Sequence, residues 1–240
     1  MQARRRSLCR LLRINTTLMR KYFFILALAL LGAARLSAQP IISPWQYRNR
    51  LFLNLQTGTS FFVSENSGAL AGNNGYNRFS FYNEAILGYY FTDAHEMRVS
   101  LAYAKRAAVM PPFYGFLPYT FGSTQAFVDY VINWRALGEY NTAYNPQMYV
   151  GVGGAVTGGF SELDYEPIED LPYLHTFNIV PALRFGVILE YDFRNNFGLT
   201  FDIGAQFYHD RFNGQAPDTW PLDLQYNATF GVVYHFGGRK

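Results

Sequence analysis

The 240-residue chain has a single cysteine, Cys9, and after residue 38 no stretch of uninterrupted apolar residues long enough for a membrane-spanning helix. The first absence excludes a disulfide framework and a thiol nucleophile from everything beyond the N-terminal region. The second means that a bilayer can be crossed only by a closed barrel, since open strands would leave amide groups unpaired in lipid. Acid is absent from residues 1–38, which hold eight of the 20 Lys and Arg and none of the 17 Asp and Glu. The basic balance therefore sits in the N-terminal region, the remainder is acidic, and no nucleic-acid partner is expected. No phosphate loop, zinc-ligand spacing or dinucleotide fingerprint occurs, so no cofactor is expected and no catalytic or metal residue is assigned.

What is present begins with an address. Met1 to Lys21 carries seven basic residues, Tyr22 to Ala34 is apolar, and Leu36-Ser37-Ala38 precedes Gln39-Pro40. This is the layout of a secretory signal peptide, predicted over residues 1–38 with cleavage after Ala38. Met19 is a possible true start, because Met19 to Ala38 alone makes a complete signal. Cys9 lies before the apolar stretch and does not fit a lipoprotein attachment site. Residues 39–48 follow as a periplasmic segment, 49–236 as the barrel and 237–240 as a tail.

Tyr, Phe and Gly dominate the remainder, and they fall in a period of two. In Leu222 to Phe236, Leu222, Leu224, Tyr226, Ala228, Phe230, Val232, Tyr234 and Phe236 share one phase while Asp223, Gln225, Asn227, Thr229, Gly231, Val233 and His235 lie in the other. Successive strand side chains face opposite ways, so one face is hydrocarbon and aromatic and the other mostly polar. The same alternation recurs at 49–62, 78–91, 96–106, 124–137, 147–160, 175–191 and 197–208, which predicts eight strands. Pro181 interrupts the sixth and is expected to mark a bulge or the rim.

Short links at Thr92 to His95 and Asp192 to Asn196, and a moderate one at Gly138 to Pro146, alternate with longer ones at Val63 to Asn77, Ala107 to Ser123, Ser161 to Leu174 and His209 to Pro221. Membrane barrels place short turns in the periplasm and long loops outside. Aromatics gather at the expected boundaries: Tyr89, Tyr90, Phe91, Tyr191, Phe193, Phe197, Tyr234 and Phe236 on one side, and Phe61, Phe62, Phe79, Phe81, Phe207 and Tyr208 on the other. A soluble lipocalin-type barrel would instead bury its apolar phase inward.

Thr229, Gly231, Tyr234 and Phe236 fit a polar, any, Gly, any, any, aromatic, any, aromatic pattern. It resembles the C-terminal signal by which bacterial outer-membrane barrels are recognised for assembly, although GGRK follows the final aromatic here. Over residues 45–236 the chain resembles the small eight-stranded outer-membrane barrels of the OmpA and OmpX type. The fold class is thus all-β, a closed antiparallel up-and-down transmembrane barrel. The resemblance implies outer-membrane lipid, lipopolysaccharide and the barrel assembly machinery as partners, together with an unknown extracellular ligand or protein.

On the polar phases, Glu84, Asp129, Glu190, Asp202 and Asp223 accompany Arg50, Arg98, Arg135 and Arg184. Eight strands enclose only enough room for side chains, so these charges are expected to pair and fill the lumen as a network. Among the links, Met110 to Thr124 is unusually apolar, and Phe113, Tyr114, Phe116 and Tyr119 are its candidate contacts for a partner or for the barrel mouth. Ser161 to Asp170 is acidic without the fixed spacing of a calcium loop. The four histidines are followed two residues on by Met97, Phe177, Arg211 and Gly237, not by the Ser of outer-membrane lipid A deacylases. The expectation is a non-enzymatic barrel displaying four loops for surface interaction or envelope integrity. A narrow channel for small solutes and a lipid-modifying enzyme are the alternatives.

Overall fold

The computed structural model of the protein describes residues 50–63, 79–92, 94–109, 118–134, 144–162, 177–193, 196–214 and 222–236. The chain divides into two units, Met1–Pro40 and Ile41–Lys240, and all the described residues lie in the second. The signal peptide predicted over residues 1–38 therefore lies outside the described residues.

Eight strands form the molecule: β1 (Leu51–Val63), β2 (Phe79–Tyr90), β3 (His95–Val109), β4 (Pro118–Asn133), β5 (Tyr144–Glu162), β6 (Phe177–Asp192), β7 (Phe197–His209) and β8 (Leu222–His235). Each pairs antiparallel with its neighbours in sequence, and β8 pairs with β1, closing the barrel. Closure satisfies every wall strand on both edges, which lipid demands. At the end where both β1 starts and β8 finishes, hereafter the turn end, Phe91 and Thr92 amides both donate to the His95 carbonyl, at 3.0 and 3.2 Å. The Thr92 hydroxyl accepts from the amides of Ala94 and His95, a side-chain-made turn that explains why four residues suffice there.

The period of two sorts the side chains as expected. Leu87, Val99, Leu101, Val128, Val150, Val152, Leu183, Val187, Leu199, Ile203 and Val232 are all exposed on the outer wall. So large a continuous apolar surface is a lipid contact, and the molecule is a transmembrane barrel. Aromatic rings link up along the turn end: Tyr89 with Phe91, Tyr144 with Tyr191, Tyr191 with Phe193, Phe197 with Tyr234, and Tyr234 with Phe236, at centroid distances of 5.0 to 5.4 Å. Phe61 and Phe79 form a corresponding pair at the loop end.

Three girdle assignments are corrected by the structure. Phe62, Tyr90 and Tyr208 belong to the inward phase and are buried in the lumen, because each neighbours an outward aromatic and a strand cannot point both the same way. The strands near the middle of the sequence also reach further than the alternation indicates. β3 runs to Val109 and β4 begins at Pro118, so residues 110–117 alone connect them and the long link expected at Ala107 to Ser123 is mostly wall. β4 ends at Asn133, and Arg135 lies outside the described residues. Pro181 causes no slip: it pairs in register with Gly154, and the β6–β7 ladder starts only at Ala182. Its missing donor therefore lies beside the first residue pair of the β6–β7 ladder, and the unbroken register with β5 rules out the expected bulge on that side. The register shift that does occur lies between Thr120 and Gly122 on the β4–β5 ladder.

Candidate functional site

The lumen is the most chemically built part of the molecule. Register places it there: Arg98 of β3 is directly opposite Asp129 of β4, Asp129 is opposite Gly151 of β5, and Gly151 is opposite Arg184 of β6. A Cβ at Gly151 would collide with the Asp129 carboxylate. Glycine at that position is what lets Arg184 reach past β5 to its partner.

Arg184 is the hub. Its Nε donates to Asp129 Oδ1 at 2.6 Å, its Nη1 to Glu84 Oε1 at 2.6 Å and its Nη2 to Ser100 Oγ at 2.7 Å. Arg98 Nε donates to Asp129 Oδ2 at 2.7 Å, and its Nη2 lies 3.8 Å from Asp202, which also accepts from the Tyr149 hydroxyl at 3.1 Å. The Arg98 guanidinium lies 4.1 Å from the Tyr149 ring centre and that of Arg184 lies 4.4 Å from Phe127. Charges so deeply buried are stable only when geometry returns what hydration supplied, and forked, ring-backed arginines supply it. Glu84, Arg98, Asp129, Arg184 and Asp202 thus meet at mid-barrel.

The other charges stand apart from this cluster. Glu190 lies at the turn end, accepting from Gln147 at 2.9 Å, and Asp223 at the loop end accepts from the Asn213 amide at 3.2 Å. Arg50 sits half-buried at the turn-end rim, where Nη1 donates to the Phe91 carbonyl at 2.7 Å.

Above the cluster comes a polar layer in which a third buried arginine, Arg106, is met by uncharged partners. Arg106 bonds Ser123 and Gln225, and Gln206 donates to the Tyr82 hydroxyl at 3.1 Å. Above that, the chain leaving β7 folds inward as a 3-10 turn, η1 (Asp210–Asn213), held by the exposed His209 at its start and by Gly214 in the left-handed region at its end. This turn drives Phe212 into the lumen, where it stacks on Tyr208 at 3.9 Å and meets Phe62 and Phe121 at 5.5 and 5.7 Å. Phe212 is the residue the sequence reading missed. The Asp-x-x-Asn-Gly pattern of Asp210 to Gly214 carries the turn signal, but nothing local tells that the turn bends inward.

Tyr119, expected as a loop contact for a partner or for the barrel mouth, is not in a loop but on the inward face of β4. It is wholly buried on β4 and its hydroxyl donates to the Asn213 carbonyl at 2.6 Å, so the proline-rich segment ends before it. Phe113, Tyr114 and Phe116 lie outside the described residues, as does the acidic run beyond Glu162. In the terminal pattern, Thr229 faces inward and donates to Gln56 Oε1 at 2.7 Å, and Gly231 is buried beside Asn54, Gln56 and Thr200. Tyr234 and Phe236 take part in the outer girdle, with Phe236 just past the end of β8.

Among the described histidines, His95 stacks on Tyr130 and its Nδ1 lies 2.6 Å from that hydroxyl on the outer side of the rim. His209 caps η1, and His235 lies inside the turn end against Glu190.

An antiparallel eight-stranded barrel with an apolar, aromatic-ringed outer wall and a charge-filled lumen is a small transmembrane barrel of the outer-membrane type. No protein-family model matches the chain, and no curated protein does. Among solved structures it is similar to Neisserial surface protein A, at 10% identity and a TM-score of 0.51 over 78% of this chain and 97% of that one. A major outer membrane protein from Thermus thermophilus matches at 14% identity and a TM-score of 0.47, over 77% of this chain and 98% of that one. The outer membrane enzyme PagL matches at 12% identity and a TM-score of 0.39, over 75% and 97%. At 10% identity the likeness to Neisserial surface protein A is one of fold alone.

Proposed function

We propose that the chain is a non-enzymatic barrel of the bacterial outer membrane, reached through a cleaved signal peptide, whose rigid wall displays four extracellular loops for surface interaction or envelope integrity. The observation that carries this reading is the layered filling of the lumen. An ion-paired cluster at mid-barrel lies beneath an aromatic plug centred on Phe212, and each layer ties several strands together. A wall braced from inside holds its shape while residues 64–78, 110–117, 163–176 and 215–221, which connect strands at the loop end, are free to differ in sequence from barrel to barrel. The partners follow from the same reading: membrane lipid and lipopolysaccharide along the wall, the assembly machinery at β8, and an extracellular ligand or protein at the loops.

The competing reading is a narrow channel. Recording in planar bilayers separates the two: the purified barrel is expected to give no sustained, reproducible conductance. Unitary steps that recur at a fixed amplitude would replace the proposal with the channel.

A further inference from the structure

The turn end of the lumen holds a second cluster, distinct from the central ion pairs. Glu190 and Asp192, two residues apart on β6, point the same way, and β7 places only Gly198 and Thr200 opposite them. That gap lets His235 of β8 reach across. Its Nε2 lies 3.2 Å from Glu190 Oε1 and 3.7 Å from Asp192 Oδ1. One ligand atom from each of the three residues falls within 4.8 Å of the others, and all three side chains are buried.

Two further buried oxygens belong to inward-facing residues of β5 and β3. Asn145 of β5 is directly opposite Glu190 in register and 1% exposed, yet its Oδ1 accepts no hydrogen bond among the described residues. Directly opposed strand residues carry their side chains on one face with Cβ atoms about 5 Å apart, so Asn145 borders the site. Glu96 of β3 is 2% exposed, its Oε2 likewise has no hydrogen bond among the described residues, and it lies within electrostatic reach of both Glu190 and His235. A buried acceptor left unmade is costly, and here one faces Glu190 in register and a second lies within electrostatic reach of Glu190 and His235, residue types that are metal ligands in other proteins.

We propose that the turn end of the barrel binds one divalent transition-metal ion of the zinc class through His235 Nε2 and the carboxylates of Glu190 and Asp192, with Asn145 Oδ1 completing the shell. The donor chemistry selects this class. One imidazole nitrogen with carboxylate oxygens suits zinc and its neighbours, whereas calcium and magnesium prefer oxygen alone and copper(I) prefers sulfur. Such an ion would tie β6 to β8, the strand that closes the barrel on β1. No sequence spacing signals the site, because its ligands lie on β5, β6 and β8 and meet only through the register and curvature of the wall.

The test uses the barrel isolated in detergent, stripped with EDTA, dialysed and titrated with Zn²⁺ against a chromophoric chelator. One equivalent is expected to bind. Affinity is expected to fall by at least about tenfold in Glu190→Gln and in His235→Ala, since losing even an outer partner of a metal ligand costs that much. Asp223→Asn, at the opposite end, is expected to bind like the parent. Failure of the parent to bind, or equal binding by all the proteins, overturns the proposal in favour of a simple imidazole–carboxylate pair. Should the two ligand variants not refold, X-ray absorption of the zinc-loaded parent decides. One imidazole nitrogen among oxygen ligands supports the site; two or more imidazoles, or oxygen alone, overturns it.

Discussion

Arg184 makes the strongest claim at the scale of single residues. It is wholly buried, and its hydrogen bonds join β6 to β2, β3 and β4. Replacing it by Met leaves Glu84 and Asp129 inside the barrel with much of their compensation gone. The cost of breaking such a pair from one side is about 3 to 5 kcal/mol. Urea unfolding of the refolded barrel in micelles, followed by tryptophan fluorescence, is expected to show that loss, and Arg184→Lys is expected to fall between the two because an ammonium cannot fork across two carboxylates. A loss below about 1 kcal/mol for Arg184→Met would mean that the cluster is filler rather than a brace. That Arg98, Asp129, Arg184 and Asp202 face inward was legible in the period of two. Which of them touch was not, since Glu84 and Arg184 are 100 positions apart and meet only through the barrel's register.

At the scale of elements, the outward phase of β6 makes a depth-dependent prediction. Val187 lies mid-strand and Leu222 opens β8 at the loop end, and both side chains are exposed on the outer wall. Val187→Arg is expected to cost about 2 to 4 kcal/mol in bilayer-folding equilibria, and Leu222→Arg only about 0 to 1, because the penalty for arginine falls towards the interfaces. Equal costs would place the apolar wall somewhere other than in lipid. A second element-scale prediction concerns η1. Phe212→Ala removes the centre of the aromatic plug and is expected to destabilise the barrel by about 3 to 5 kcal/mol, as large-to-small changes in a packed core do. It should leave bilayers electrically silent, because the ion-paired layer beneath remains. Stable currents from this variant alone would show that the plug is the only seal. Element existence was readable in the sequence for all eight strands, but element ends were not. Tyr119 and Phe121 sit among Pro118, Gly122 and Ser123, turn-rich chemistry that a loop would also carry, and only pairing with β3 and β5 makes them wall.

Closure is a property of the whole molecule, and β8 carries it. Its ladder with β1 runs from Phe52 opposite His235 to Val63 opposite Leu224, and the Phe236 amide adds a bond to the Leu51 carbonyl at 3.0 Å. The terminal pattern divides its work between the two faces of that strand. Thr229 and Gly231 fit the lumen side, while Tyr234 and Phe236, in ring contact at 5.2 Å, stand in the girdle beside Phe197. Changing Tyr234 and Phe236 together to Ala keeps the polar face and the strand's backbone but removes the apolar anchors at the membrane boundary, where aromatic side chains are favoured. The double variant is expected to be exported normally, since the proposed leader, residues 1–38, is untouched, and to yield less closed barrel, because the last strand can no longer be seated at its proper depth and an unclosed sheet edge is too costly to persist in lipid. The readout is the heat-modifiable gel mobility of the closed barrel in isolated outer membranes, compared with the total amount of processed chain. Folded protein at parental levels would show that the aromatic terminus is a strand end without a role in assembly. A fall in folded protein with the processed chain undiminished would locate its role after export, at the step where β8 meets β1.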